Sequence, residues 1–109
     1  MKALRYERYG PPEVLELVEM AKPEPAAGEV LLEVKAAALN AADVRLMRAD
    51  PFFVRFFNGL LRPRIRPGAD VAGIVRRVGA GVAEFAVGDE VFGDIFDYGA
   101  GAVAEYATA

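Results

Sequence analysis

The stretch that decides the fold is Gly68-Ala69-Asp70-Val71-Ala72-Gly73-Ile74-Val75, followed by Val78-Gly79-Ala80-Gly81-Val82 and Gly88-Asp89-Glu90-Val91-Phe92-Gly93. Short β-branched runs alternate in it with glycines at small intervals. Gly79 and Gly81 offer the backbone freedom that a tight turn requires. Gly88-Asp89 is a second turn signal in front of an apolar run. The stretch therefore predicts compact antiparallel β-structure with sharp corners.

Four other segments carry strand patterns, namely 2–9, 14–20, 29–39 and 102–108. The clearest is 29–39, where alternation predicts one face made of Val30, Leu32, Val34, Ala36 and Ala38. A Pro-rich surface loop over 22–29 precedes it. About seven short strands with one or two short helices inserted mid-chain predict a mainly β fold, an irregular β-barrel or sandwich.

Two helical segments are predicted between the strands. Asn40 ends the strand before it and favours a short helix over 41–47. Asp50-Pro51 is a helix start signal, and apolar residues at helical spacing follow it: Phe52, Phe53, Phe56, Phe57, Leu60 and Leu61. This apolar face either belongs to the core, or covers a substrate cleft or packs on another domain.

Composition excludes several kinds of chemistry. The chain has 109 residues, which predicts one domain, and it contains neither Cys nor His. Disulfides, thiolate metal sites, Ser–His triads, Cys–His dyads and the usual zinc sites are excluded. The net charge of −3 gives no general attraction for nucleic acid. No apolar run approaches a membrane span and no signal peptide is evident, so a soluble cytoplasmic protein without membrane partners is expected.

Taken together, the motifs of this chain resemble the medium-chain dehydrogenase/reductase superfamily, and in particular its zinc-independent, quinone oxidoreductase-like branch. The resemblance rests on the 68–93 stretch, on the opening Met1-Lys2-Ala3 with Tyr9-Gly10-Pro11-Pro12, on Gly28-Glu29-Val30-Leu31 and on Leu39-Asn40-Ala41-Ala42-Asp43. The resemblance also includes residues 101–106, near the end of the chain. Essentially the whole chain is covered.

The resemblance implies that residues 1–109 form a GroES-like β-barrel, the catalytic domain, and that the Rossmann domain which holds NADPH is absent from this chain. The implied activity is NADPH-dependent reduction of a quinone or an α,β-unsaturated carbonyl, with a small-molecule substrate and with homo-oligomerisation possible. The isolated domain is expected to be inactive and to bind no cofactor. The alternative is a non-catalytic GroES-like binding or assembly module.

In zinc-dependent relatives a Cys ligand stands where this chain has Asn40, a His stands at Ala69, and a Glu stands at Asp70. The resemblance therefore implies that no zinc is bound. In zinc-free relatives the matching Asn lies near the nicotinamide, which makes Asn40 the candidate cofactor-binding and catalytic residue. Arg45 occupies a position that lines the cleft in relatives and is the second catalytic candidate.

Each candidate also has a structural interpretation. Asn40 is either a cap that ends a strand or an amide that orients nicotinamide or a substrate carbonyl. Arg45 is either a solvated helix residue or a group that stabilises an anionic oxygen. Asp43 is predicted to cap or to pair with an Arg, and Asp70 to serve a turn or an ion pair.

Overall fold

The computed structural model describes residues 1–50, 55–59, 62–96 and 100–109. In chain order the elements are β1 (Lys2–Arg5), a 3₁₀ turn (Pro12–Val14), β2 (Glu16–Glu19), β3 (Val30–Ala38), α1 (Ala41–Arg48), α2 (Arg55–Asn58), β4 (Asp70–Val78), β5 (Glu90–Asp94) and β6 (Tyr106–Thr108). The mainly β class with two short helices in the middle of the chain is confirmed. The start of the second predicted helix, at Pro51, and most of its apolar face lie outside the described residues.

All strand pairs are antiparallel and they form two sheets. One sheet has four strands in the order β5-β4-β3-β6, and the other consists of β1 and β2. The segment before β6 joins the sheets: the Leu4 N–H donates to the Val103 carbonyl at 2.9 Å, and the Val34 N–H donates to the Glu105 carbonyl at 2.9 Å. Residues 103–105 thus lie between β1 and β3.

The main core lies on the inner face of the four-stranded sheet. Leu32 and Val75 are partners in the β3–β4 register and are almost completely buried. The complete cluster is Val30, Leu32, Val71, Val75, Ile95, Ala102 and Ala107. Leu31 is also fully buried, on the opposite side of β3. The first half of β3 is therefore covered on both faces, which fixes this strand at the centre of the fold.

A β-bulge in β3 overturns part of the predicted strand pattern. Val34 pairs with Gly73 but Ala36 pairs with Ala72, so Lys35 is an extra residue in β3. A one-residue shift moves the following side chains to the other face of the sheet. Val34, before the bulge, packs on the core. After it, Lys35, Ala36, Ala37 and Ala38 are all exposed, so this half of β3 extends past the core. The predicted single face of Val30, Leu32, Val34, Ala36 and Ala38 is therefore interrupted at Lys35.

Strand boundaries also differ from the predicted ones. The first strand ends at Arg5, and a 3₁₀ turn replaces the beginning of the second. The last regular strand starts only at Tyr106, because Ala102 and Val103 donate their N–H groups to the Gly68 and Pro67 carbonyls instead. None of the helices in the described ranges has the length and hydropathy needed to cross a membrane.

Candidate functional site

The candidate site is built around the start of α1, at the end of β3. Asn40 is the N-cap of α1, with extended backbone torsions (φ −137°, ψ −178°). Its Oδ1 accepts a hydrogen bond from the Ala42 N–H at 3.1 Å, and the Asn40 N–H donates to Asp43 Oδ2 at 2.9 Å. This reciprocal arrangement is a capping box, and it satisfies N–H groups that the helix itself leaves unpaired. The predicted cap role of Asn40 is confirmed.

Asp43 fixes this helix start to the rest of the fold. While Oδ2 accepts from Asn40, Oδ1 accepts from the Gly68 N–H at 3.0 Å. Gly68 lies two residues before the start of β4, in a left-handed conformation (φ 91°). One carboxylate thus connects the end of β3 with the approach to β4, and the predicted structural role of Asp43 is confirmed.

Asp70 lies beside Asn40. The Asn40 Nδ2 donates to Asp70 Oδ2 at 3.3 Å. Asp70 is the first residue of β4, and its register partners are Ala38 on β3 and Asp94 on β5. Among the described residues it forms no ion pair, and it lies within a strand. The prediction of a turn or ion-pair role for Asp70 is therefore wrong, and its partner is the candidate site residue itself.

Arg45 is exposed on the outer side of α1. The buried side of the helix carries Leu46 and Met47, so Arg45 shares the outer side with Val44 and Arg48. Arg45 follows Asn40 by five positions, which corresponds to about 7.5 Å along a helix axis and to a different side of the helix. The structure therefore does not place the Asn40 and Arg45 side chains as adjacent neighbours on one face of α1.

A buried polar cluster under α1 was not predicted. The Asn58 side chain is fully buried, and its Oδ1 accepts from the Arg64 N–H at 3.0 Å and from the Ile65 N–H at 2.7 Å. The Tyr9 hydroxyl donates to the Gly59 carbonyl, and the Arg55 guanidinium lies 4.6 Å from the centre of the Tyr9 ring. A single amide inside an otherwise apolar run, Phe56-Phe57-Asn58, was the only signal in the sequence.

Burial raises the pKa of the Tyr6 hydroxyl above its ordinary value of 10.0. The neighbouring Asn58 side chain lowers this pKa, and the nearby Tyr9 and Asp43 add to the increase. Burial also raises the pKa of Tyr9, while Arg55 and Arg64 lower it. Both phenols are therefore neutral at physiological pH, and they serve here as hydrogen-bonding parts of the scaffold below α1.

A cavity of about 440 Å³ lies elsewhere, against the inner face of the four-stranded sheet. Its walls include Leu32, Val71, Val82, Phe85 and Ile95. Neither Asn40 nor Arg45 lines it. It offers apolar surface but few groups for polarising a carbonyl, so the α1 start remains the better candidate for chemistry.

Among the described residues, no group of three or more His, Cys, Asp or Glu side chains is arranged to hold a metal ion. Ala69 is buried and supplies no donor atom from its side chain. The Asn40 amide is instead engaged by the helix and by Asp70.

Comparison with known proteins identifies the family of this chain. The family model described as "Alcohol dehydrogenase GroES-like domain" matches residues 26–109. A chloroplastic quinone-oxidoreductase homolog of Spinacia oleracea is 37% identical over the whole of this chain and 32% of its own length. The structure of the quinone oxidoreductase from Coxiella burnetii has a TM-score of 0.85 at 33% identity, covering all of this chain and 34% of that one. The Escherichia coli quinone oxidoreductase complexed with NADPH has a TM-score of 0.76 at 26% identity, covering 99% of this chain and 30% of that one.

These matches define a GroES-like domain of the oxidoreductase kind, and the chain belongs to the alcohol dehydrogenase GroES-like domain family. Within it, the chain is similar throughout to the N-terminal domain of medium-chain dehydrogenases/reductases of the quinone oxidoreductase type. It spans about a third of the length of the curated relatives that it matches.

Proposed function

We propose that this chain is the substrate-binding, catalytic domain of an NADPH-dependent oxidoreductase that reduces quinones or α,β-unsaturated carbonyls without zinc. The observation that carries the proposal is the exposed carboxamide of Asn40, held in one orientation at the junction of β3 and α1. Relatives that the chain matches over its whole length are named quinone oxidoreductases, and one matching structure is complexed with NADPH.

The role of Asn40 follows from the charge that develops in such a reduction. When bound, NADPH supplies a hydride to the quinone or to the β-carbon of the enone, and the substrate oxygen then gains negative charge. A fixed N–H donor aimed at this oxygen stabilises the charge without reorganisation. In the proposal Asn40 supplies that donor or orients the nicotinamide carboxamide.

Arg45 has a separate role in the proposal. Its guanidinium projects from the exposed side of α1 and not from the junction occupied by Asn40. It attracts an anionic part of the substrate or cofactor and leaves the reacting oxygen to Asn40. The zinc-free route is supported by the composition, because the chain offers neither His nor Cys as a ligand.

A chimera tests the function directly. This chain would replace the matching third of the Coxiella burnetii quinone oxidoreductase, to which it is 33% identical. We expect the purified chimera to oxidise NADPH in the presence of a quinone and after removal of metals with a chelator. Asn40→Ala should lower kcat/KM by roughly a hundred- to a thousandfold, as expected for loss of one donor to a developing oxyanion. A folded chimera without turnover on quinones or enones would contradict the proposal.

Two arginines on the same helix side provide a matched pair. Arg45→Ala should raise the KM for NADPH or for an anionic substrate, whereas Arg48→Ala, also exposed on α1, should leave both KM values unchanged.

The 109-residue chain alone should not oxidise NADPH with a quinone, and steady turnover by it would disprove the requirement for a cofactor-binding domain.

A further inference from the structure

The hydrogen-bonding capacity of Asn40 is larger than its cap uses. A carboxamide has two N–H donors and one oxygen acceptor. Oδ1 faces the helix because it accepts from the Ala42 N–H at 3.1 Å, which leaves Nδ2 on the other side. Nδ2 donates one hydrogen to Asp70 Oδ2 at 3.3 Å. One N–H donor of this exposed side chain is left over for a ligand.

Asp70 is well suited to hold that amide. It lies in β4, which is paired on both sides, so its backbone is fixed by β3 and by β5. Asp94 is its register partner on β5, and two carboxylates in such a position repel each other. The Asp94 carboxylate accepts from the Phe96 N–H at 2.7 Å. Each carboxylate thus has its own donor, and the donor for Asp70 is Asn40.

We propose that Asp70 is a positioning residue that turns Asn40 into a dedicated hydrogen-bond donor for a carbonyl oxygen. Rotation of the carboxamide by half a turn would bring Nδ2 toward the Ala42 N–H and Oδ1 toward the Asp70 carboxylate. Both contacts would then be repulsive, so the orientation is locked from two sides. The ligand group that fits is an acceptor oxygen, as in a ketone, a quinone or a carboxamide. This inference rests on the proposed function, since it states that the same site recognises its ligand by donating a hydrogen bond to it.

The test observes the Asn40 side-chain amide by ¹H–¹⁵N NMR in the 109-residue chain, without any turnover. The probes are 3-acetylpyridine, which has a carbonyl oxygen, and 3-methylpyridine, which lacks one. We expect 3-acetylpyridine to shift the Asn40 side-chain signals and 3-methylpyridine to leave them in place.

The variants separate positioning from a purely structural effect. Asp70→Ala should weaken the response to 3-acetylpyridine by roughly fivefold, the size expected when one hydrogen bond is lost, while the Ala42 amide signal shows that the cap persists. Asp70→Asn keeps an acceptor oxygen and should restore much of the response. Glu90→Ala, exposed on the adjacent strand β5 but paired with Ile74, is the matched control and should leave the response unchanged.

Three results would overturn the proposal: an unchanged response in Asp70→Ala, an equal loss in Glu90→Ala, or no shift with 3-acetylpyridine up to its solubility limit. The outcome is independent of the chimera. If the Asp70-dependent response appears but the chimera does not oxidise NADPH, the positioning role stands and the proposed function fails. If the chimera is active and Asp70→Ala binds normally, the positioning role fails alone.

Discussion

At the scale of single residues, Asp43 shows how one carboxylate connects two distant segments. Its two oxygens accept from the backbone N–H groups of Asn40 and Gly68, which are far apart in sequence. Hydrogen bonds to a charged acceptor are stronger than neutral ones. The side chain therefore stabilises the helix start and its place on the sheet at once.

We predict that Asp43→Ala lowers the free energy of unfolding by about 2 kcal/mol, because both N–H groups lose their charged acceptor. Asp43→Asn should cost about half as much, since its single oxygen can accept only part of this pair. Urea unfolding followed by circular dichroism measures both. Glu24→Ala in the exposed loop is the control, expected to stay within about 0.5 kcal/mol. Equal effects at positions 43 and 24 would refute the linking role.

Tyr6 links the buried polar cluster to the pH dependence of stability. Its pKa is raised in the folded chain, chiefly by burial. The unfolded chain therefore loses the Tyr6 proton at lower pH than the folded chain does. The stabilising contribution is complete below about pH 10 and is lost as the pH rises through and above that value.

Tyr6→Phe should therefore reduce the loss of stability between pH 9 and about pH 11. Denaturant unfolding at several pH values gives the difference between variant and wild type. Tyr9→Phe is the comparison: burial also raises the pKa of Tyr9, but Arg55 and Arg64 lower it. A Tyr6→Phe curve parallel to that of the wild type would show that Tyr6 ionisation does not contribute.

Residue identities predicted the site only in part. Asn before Ala-Ala-Asp is a recognisable cap sequence, so the roles of Asn40 and Asp43 at the helix start followed from local chemistry. The contact between Asn40 and Asp70 did not, because it depends on a pairing between β3 and β4 that no local pattern specifies. The same limit explains why Asn58 was missed: its partners, Arg64 and Ile65, lie beyond the end of its own helix.

At the scale of elements, the loop that follows β4 contains two glycines, and each position requires glycine for a different physical reason. Gly81 has a left-handed backbone (φ 81°) and open space around it. Gly79 has no positive φ, but a Cβ there would lie 2.0 Å from the Ala26 carbonyl oxygen. Its N–H donates to the Glu29 carbonyl at 2.7 Å, which holds the 22–29 loop against this turn. The predicted turn is confirmed, although only one of these glycines serves it through backbone freedom.

Alanine substitution should separate the two reasons. Gly81→Ala should cost about 1 to 2 kcal/mol, the strain of an L-residue in the left-handed region. Gly79→Ala should cost about 3 kcal/mol, because two backbone segments must move apart. Thermal unfolding of both variants provides the comparison. A larger loss for Gly81→Ala would contradict the close approach at Gly79.

The sequence predicted the type and location of the strands better than the side of the sheet on which their side chains lie. Periodicity located β3, and turn residues located the ends of β4 and β5. The bulge at Lys35 was not visible in the pattern, because Ala36 and Ala38 are small apolar residues that suit either face. Burial of Leu31 on the side opposite to Leu32 was hidden for a related reason, since it depends on what covers the second face.

At the scale of the whole molecule, residues 103–105 connect the two sheets through backbone hydrogen bonds. The Glu105 N–H donates to the Lys2 carbonyl at 3.1 Å, and the Glu105 carbonyl accepts from the Val34 N–H at 2.9 Å. Ala3, which bridges to Ala104, is almost completely buried. Opening the β1–β2 pair would therefore expose core and break bonds on both sides of this segment.

We predict that the amide hydrogens of Leu4, Val34 and Glu105 exchange with solvent only through global unfolding. Their free energies of exchange, measured by native-state hydrogen exchange, should agree with each other and with the unfolding free energy within about 1 kcal/mol. The Ala86 amide serves as a control, because it bonds only to the Asp89 carboxylate in an exposed loop and should exchange through local fluctuations. Fast exchange at Leu4 alone would show that β1 and β2 open separately. The 103–105 segment would then connect the two sheets without joining them into one cooperative unfolding unit.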